Sequence, residues 1–319
     1  MLLLEPAILL LLLLLVVGKS ASWAMRSASS LSRILGWSEF AVSAAVITMI
    51  SVLPELLVSL VSAFNGVPSL ALGTLLGSNV ADLTLIFGLV ALLGRGAIKV
   101  ESAFIKTDHL FLSFLLLPLV LGFTGHYSRL DGALLIAGGA VFLYLILRDR
   151  GVRTYHPNHL SRSLAVNGLS LGVSLLLLTG AAYYTVIYAE EIAGGLGVAP
   201  ALIGLLVVAL GTTLPELLFS VRAAQNSHSA LALGDIWGTV IVDATLILGL
   251  VALIHPFSFN PRLVILTGFF MLLAGIFSLS LLRSGRTLTK PEGALLLAFY
   301  GIFVIVEFIL MDWTPFTGK

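Results

Sequence analysis

Apolar residues fill long runs from one end of the 319-residue chain to the other, broken by short polar stretches. A run of about 20 apolar residues is the length of an α-helix that crosses the hydrocarbon core of a bilayer. Taken in order, the runs predict ten membrane helices, near 5–25, 38–64, 69–94, 104–124, 131–148, 164–189, 199–225, 229–254, 261–283 and 291–312. The longest polar break falls between the fifth and sixth. The chain therefore reads as an all-α membrane protein with an N-terminal five-helix repeat (1–148), a cytoplasmic linker (149–162) and a C-terminal five-helix repeat (163–319). The first 18 residues carry a single charge, Glu5. Without the basic start of a signal peptide they read as a mature helix.

One stretch inside this pattern occurs twice. Residues 51–92 read SVLPELLVSLVSAFNGVPSLALGTLLGSNVADLTLIFGLVAL, and residues 212–253 read TTLPELLFSVRAAQNSHSALALGDIWGTVIVDATLILGLVAL. They align without a gap at an offset of 161 positions, and 22 of the 42 pairs are identical. With the turn before each, the repeated cores are 48–92 and 209–253. Each core has a Pro-Glu pair (Pro54-Glu55, Pro215-Glu216) and an aspartate 27 residues on (Asp82, Asp243).

Composition agrees with the membrane reading. Residues are 59% hydrophobic and 10% charged, with a mean hydropathy of +1.10, whereas soluble domains are about 25% charged. The net charge of +1 says little, no nucleic-acid partner is expected, and the absence of cysteine excludes disulfides and thiolate metal sites. No cofactor or obligate protein partner is expected. His156 and His159 lie in the linker and read as part of a solvated basic loop.

Charge also orients the chain. With ten spans, 14 of the 17 Lys and Arg residues fall in loops on one side. The positive-inside rule makes that side cytoplasmic and puts both termini outside, in what is expected to be the cell membrane. Five helices per half is an odd number, so the second half enters the bilayer from the opposite side. The repeats are then inverted, a layout of secondary transporters with a midplane site where the repeats meet.

The chemistry of the repeated core follows from its prolines and acids. Pro54 and Pro215 cannot donate a backbone hydrogen bond and clash with the turn before them. A break there is expected to release carbonyls among Thr48, Ser51 and Val52 in one copy and Ala209, Gly211, Thr212 and Thr213 in the other. Freed carbonyls, hydroxyls and a carboxylate in one turn are hard oxygen ligands of the kind Na+ and Ca2+ take. Ser78 and Thr239 precede Asp82 and Asp243 by four residues, one helical turn, so hydroxyl and carboxylate share a face. Asn79 adds an amide oxygen where the second copy has Val240. Ionised groups at membrane depth are costly, and the core spans 69–94 and 229–254 contain no Lys or Arg before Arg95 to pair with them. The compensating charge is expected to come from solution.

On GTTLPEL, LPELLVS and GSNVAD, the chain resembles the sodium/calcium exchanger group of the cation/calcium antiporters. The resemblance covers both repeats. It implies one central site with Glu55, Asp82, Glu216 and Asp243 at its middle. Ser51, Ser78, Thr212, Thr213 and Thr239 become side-chain oxygen ligands, and Thr48 and Ala209 backbone-carbonyl ligands. The implied function is exchange of Ca2+ for Na+ by alternating access, with the lipid bilayer as surroundings. Val52 replaces the second hydroxyl residue of the family pattern, Asp82 and Asp235 stand where Asn is usual, and Val240 interrupts Gly-Ser-Asn. Four ionised acids would carry −4 against the +2 of one Ca2+, so protons enter the balance. Both Na+ and H+ remain open as coupling ion. An intramembrane aspartyl protease using Asp235 would explain neither the paired glutamates nor the inverted duplication, and a passive cation channel needs no such inversion and would show Ca2+ flux without counter-ion dependence.

Overall fold

The computed structural model describes residues 3–34, 48–94, 98–99, 108–148, 164–225, 229–285 and 287–310. The linker 149–162, with its two histidines, and positions 38–47 of the second predicted segment lie outside these residues. The fold is built almost entirely of helix. Helix α1 spans Leu4–Ile34. The short α2, Thr48–Ser51, and α3, Leu53–Phe64, follow. Helix α4, Pro68–Ala81, runs through a π-helical turn, Asp82–Ile86, into α5, Phe87–Leu93. Helices α6, Asp108–Gly122, and α7, Arg129–Arg148, complete the first half.

The second half repeats this order. It comprises α8, Leu164–Leu196, and α9, Pro200–Ile203, which passes through a π-helical turn, Gly204–Val208, into α10, Ala209–Thr212. Then come α11, Leu214–Gln225, and α12, Ser229–Val242, with a π-helical turn, Asp243–Ile247, leading into α13, Leu248–Ile254. Helices α14, Pro261–Gly285, and α15, Lys290–Leu310, end it. Among the described residues seven stretches are long and apolar enough to cross a membrane: Leu4–Ala24, Pro68–Leu93, Ala165–Leu196, Pro200–Gln225, Ala232–Ile254, Pro261–Arg283 and Lys290–Leu310. Leu53–Phe64 and Phe111–Gly122 are shorter apolar helices.

The helix ends differ from the sequence reading in two places. α1 continues past 25 to Ile34. α8 continues past 189 to Leu196, which puts Glu190 and Glu191 on an exposed helical face and not in a loop. Ile192 and Ala193 are buried one turn from its end, so packing sustains the helix. Gly197, at φ +67°, then stops it, as glycine does in the left-handed region. The all-helical expectation is also amended by two small antiparallel ladders. Strand β1 (Ile98–Lys99) pairs with β4 (Thr287–Leu288), and β2 (His126–Tyr127) pairs with β3 (Phe257–Ser258). Each ladder joins a loop of one half to a loop of the other.

Burial sorts the helices into a centre and a rim. Pro68–Leu93 and Ala232–Ile254 are each 83% buried, against 22% for Ala165–Leu196 and Lys290–Leu310. The rim helices present Leu169, Leu176, Ile305 and Phe308 outward, the apolar exterior that a lipid-facing surface requires. α1 and α8 pack along each other at this rim.

Contacts of the repeated cores with the last helix of the opposite half recur at the same offset. Gly88 and Gly293 meet backbone to backbone where α5 crosses α15. A Cβ on Gly88 would stand 2.8 Å from the Gly293 carbonyl oxygen, and one on Gly293 would stand 2.9 Å from that of Gly88. The equivalent glycines, Gly249 and Gly132, make the same crossing between α13 and α7, at 2.8 and 2.7 Å. Small residues of this kind let membrane helices approach closely. The starts of α7 and α15 are capped alike. The Ser128 N–H and hydroxyl donate to Asp131 (2.8 and 2.7 Å), and the Thr289 N–H and hydroxyl donate to Glu292 (both 2.7 Å). Each acid sits three residues after its hydroxyl partner, as in a capping box. The last rim helix of each half therefore grips the centre helix of the other half.

The crossings predict their own sensitivity. Gly88→Leu and Gly249→Leu are each expected to destabilise the protein by about 1–3 kcal/mol or more through overpacking, read as a lower thermal unfolding midpoint in detergent. Gly168→Leu, with nothing within 4 Å of the added Cβ, should leave the midpoint within the range of a surface change.

Candidate functional site

The proline breaks organise the site, and both have the same form. Val52 (φ −75°, ψ −1°) and Thr213 (φ −77°, ψ −2°) each interrupt the helix for one residue. The next helix starts at once with proline in second place and glutamate in third, so Glu55 and Glu216 lie in a first turn. A helix N-terminus favours negative charge there. The break therefore falls before the proline, at a residue whose ψ leaves the helical range. The carbonyls that proline leaves without their i+4 donor are those of Ile50 and Gly211. Of these, sequence reading had singled out only Gly211.

The other carbonyls named from the sequence are mostly engaged. The Ala209 carbonyl accepts the Thr213 N–H and the Thr212 hydroxyl, both at 3.1 Å. The Val52 and Thr213 carbonyls accept from Leu56 and Leu217 at 2.8 and 3.0 Å. The Thr213 hydroxyl donates to Leu210 at 3.2 Å. Thr48 begins α2, and its side chain lies outside the described residues.

Asp82 and Asp243 open π-helical turns. The Phe87 N–H closes on the Asp82 carbonyl five residues back, and the Leu248 N–H does the same with Asp243. The threonines two residues on, Thr84 and Thr245, donate to the carbonyls of Val80 and Ile241, each at 2.5 Å. Single π turns inside α-helices often occur at functional sites. Here they swell the helix where the acid side chain leaves it.

Glu55, Asp82, Glu216 and Asp243 are all completely buried. Neither carboxylate oxygen of Glu55, Asp82 or Glu216 has a hydrogen-bond partner, nor does Asp243 Oδ1. Asp243 Oδ2 accepts the Ser78 hydroxyl at 3.2 Å, and that hydroxyl also lies 3.1 Å from the Leu75 carbonyl. The Thr212 hydroxyl lies beside Glu55 but is turned to Ala209. Glu216 is within Coulombic reach of Glu55 and Asp82, and so is Asp243. The two halves thus contribute to one acidic cluster, and none of these acids pairs with a Lys or Arg among the described residues.

A fifth acid joins them. Asp235, 3% exposed, accepts the Ser51 hydroxyl at Oδ1 (2.9 Å), and Ser51 lies 3.3 Å from the Thr239 hydroxyl. Asp235 also acts electrostatically on Glu55, Asp82 and Glu216. The sequence reading marks it only as an acid standing where Asn is usual, outside the site residues, and its counterpart in the first repeat is Thr74. The overlooked signal was its spacing. Asp235, Thr239 and Asp243 succeed one another at four-residue steps along one helical face.

Other groups line the neighbourhood. The hydroxyls of Ser59 and Ser220, one turn beyond the two glutamates, are buried without a partner. Asn79 donates to the sulfur of Met271 at 3.5 Å, which leaves its amide oxygen unpartnered. Among the described residues no three acids or histidines converge on a single point as a ready-made metal cage. Any cation bound here would draw its ligands from hydroxyls and carbonyls as well as carboxylates.

This arrangement has relatives. The sodium/calcium exchanger protein family matches residues 6–148 and again 167–309, two matches separated by the same 161 positions as the repeated cores. The chain is 32% identical over 301 residues to the putative antiporter CaxA of Alkalimonas amylolytica, covering 88% of this chain and 92% of that one. It is 31% identical over 274 residues to the inner membrane protein YrbG of Escherichia coli, covering 82% and 83%. Against the sodium/calcium exchanger MaX1 of Methanosarcina acetivorans it is 26% identical over 338 residues, covering 92% and 95%. A solved structure of the sodium-calcium exchanger NCX_Mj, soaked with Na+ and Sr2+, shares the fold at a TM-score of 0.70. The two are 23% identical, and the superposition covers 97% of this chain and 100% of that one. With both halves matched by the family and both cores built alike, the chain belongs to the sodium/calcium exchanger family.

Proposed function

We propose that this protein is a secondary-active antiporter that exchanges Ca2+ for Na+ by alternating access through one central carboxylate site. The observation that carries the reading is the burial of acids from both repeats within Coulombic reach of one another, with no protein cation among the described residues to neutralise them. A cation from solution supplies what the protein withholds. Family membership and the names of MaX1 and CaxA support transport rather than enzymatic chemistry.

In this reading the chain crosses the bilayer ten times as two inverted five-helix repeats, 1–148 and 163–319, joined by the cytoplasmic segment 149–162, with both termini outside. The glycine crossings and caps that recur at an offset of 161 support two like halves. Glu55, Asp82, Glu216 and Asp243 bind the divalent ion. Ser51, Ser78, Thr212, Thr213 and Thr239 add hydroxyl oxygens, and the backbone near Thr48 and Ala209 adds carbonyls. Ca2+ and Na+ compete for the same carboxylates, so one leaves as the other loads. A site without cations keeps its charge uncompensated and resists crossing, which suppresses leak.

H+ in place of Na+ is the second reading, favoured by Val52, which supplies no hydroxyl where Thr213 does, and by the extra acids Asp82 and Asp235. Ca2+ uptake into proteoliposomes separates the two. Uptake is expected when a Na+ gradient is imposed; uptake driven by a pH gradient alone would replace Na+ with H+. Val52→Ser is expected to lower the Na+ concentration for half-maximal exchange by about threefold, the worth of one added polar contact.

The acids have a sharper prediction. Glu55→Gln and Glu216→Gln keep shape and remove charge, and each should weaken Ca2+ exchange by about tenfold or more, since charge count sets the affinity of such sites. Full exchange in both variants would sink the carboxylate assignment.

A further inference from the structure

Helix α1 carries positive charge on a face that the transport reading leaves without a role. Its buried residues Leu10, Leu14, Val17, Ala21 and Ala24 recur at helical spacing, and the helix packs along α8. The same helix braces both breaks. It touches α2 and α3 at the first and α10 and α11 at the second. A Cβ on Gly18 would stand 3.4 Å from the Leu214 Cβ, and one on Gly211 would stand 2.5 Å from Leu14 Cδ2. The residue after Gly18 is Lys19.

Lys19, Trp23 and Arg26 each follow a buried residue (Val17, Ala21 or Ala24) by two positions, about 200° around the helix. They form a stripe opposite the packed face, and all three are exposed, Trp23 to 44%. Lys19 lies inside the apolar segment Leu4–Ala24, and Arg26 lies just past its end. A cation within such a segment is costly unless its stem carries the charge to the interface. Lys19 stops five residues short of the segment's end, about 7.5 Å at the rise of an α-helix. Its four-carbon stem spans most of that distance. Trp23 sits at the same end, at the depth where aromatic rings gather. Ammonium, indole and guanidinium thus come to one headgroup level.

The matching face of α8 differs. At the offset of 161 it carries Gly180, Tyr184 and Ile187, an aromatic ring without a cation. The halves repeat their packing and do not repeat this charge. It belongs to one leaflet, which the orientation proposed above makes cytoplasmic, and that leaflet is the anionic one.

We propose that Lys19, Trp23 and Arg26 bind the phosphate headgroup of an anionic phospholipid of the cytoplasmic leaflet. The two cations supply charge and N–H donors to phosphate oxygens, and the indole, apolar with one polar edge, lies against the junction of headgroup and acyl chain. The bound lipid holds α1 at a fixed depth against the two breaks, so membrane charge bears on the exchange site from outside it. The leaflet and the effect on exchange rest on the transport reading; the binding itself does not.

The test uses purified full-length protein in vesicles of phosphatidylcholine mixed with phosphatidylglycerol, with one or the other lipid brominated. Brominated chains quench a tryptophan that they touch, so the ratio of quenching reports which lipid covers Trp23. Trp23→Phe supplies the background from the other tryptophans. Wild type should favour phosphatidylglycerol by about tenfold or more, and the double variant Lys19→Gln, Arg26→Gln should lose that preference, since each charge is worth about fivefold. Both side chains are exposed, and an unchanged thermal midpoint checks that the double variant folds. Na+-driven Ca2+ uptake should be faster with phosphatidylglycerol than without it in wild type, and equal in the double variant. Equal quenching by both lipids in wild type overturns the site. A preference that survives the double substitution also overturns it, by placing the lipid elsewhere. Loss of the preference when inorganic phosphate replaces chloride at constant ionic strength assigns the stripe to a free anion and overturns lipid occupancy. A lipid preference that depends on Lys19 and Arg26, in protein that takes up no Ca2+ under any gradient, upholds the site and sinks the transport reading.

Discussion

Five carboxylates buried together repel one another, and the architecture of this protein follows from holding them in place. Two like charges 4 Å apart at an effective dielectric constant of about 20 cost roughly 4 kcal/mol. No Lys or Arg among the described residues relieves that cost at Glu55, Asp82, Glu216, Asp235 or Asp243. Such a cluster persists only inside a frame that resists its separation. The centre helices α4–α5 and α12–α13 supply the frame, closely packed and clasped by the rim helices of the opposite half through glycine crossings. Stiffness in the scaffold is what permits electrostatic tension in the site.

The frame also provides local relief. Each glutamate sits in the first turn of a helix, where the backbone dipoles favour an anion. Each motif aspartate leaves its helix at a π turn, and a neighbouring threonine hydroxyl binds backbone in the same stretch. Ser78 and Ser51 reach across from the first repeat to acids of the second. These contacts orient the acids without neutralising them. Apart from the hydroxyls that reach Asp235 and Asp243, the carboxylate oxygens are left without partners.

Symmetry is close in the scaffold and broken in the site. Crossings, caps and π turns recur at a constant offset, whereas Val52 faces no hydroxyl counterpart to Thr213, Asn79 answers to Val240, and Asp235 answers to Thr74. Packing constrains both halves equally, because each must fit the other. The buried polar positions are under no such demand, since they need not fill the same space in both halves.

Much was legible in the chain by itself. The length of the apolar runs decided helices and membrane, because a bilayer forces the backbone to satisfy its own hydrogen bonds. The doubled stretch, read at a fixed offset, pairs Glu55 with Glu216 and Asp82 with Asp243 from the sequence alone. Other features needed three dimensions. Which carbonyls the prolines free depends on where the helix breaks, and it breaks at Val52 and Thr213, so that Ile50 and Gly211 lose their donors while Ala209 is already taken twice. The π turns leave no mark in periodicity, because one extra residue in a helix buried on every side changes no pattern of exposure. Asp235 looked like an isolated departure until α2 and α12 brought Ser51 to within a hydrogen bond of it across 184 positions of sequence. Local pattern determines what each segment is, while contact between distant segments decides which of its polar atoms meet, and the site is made of those meetings.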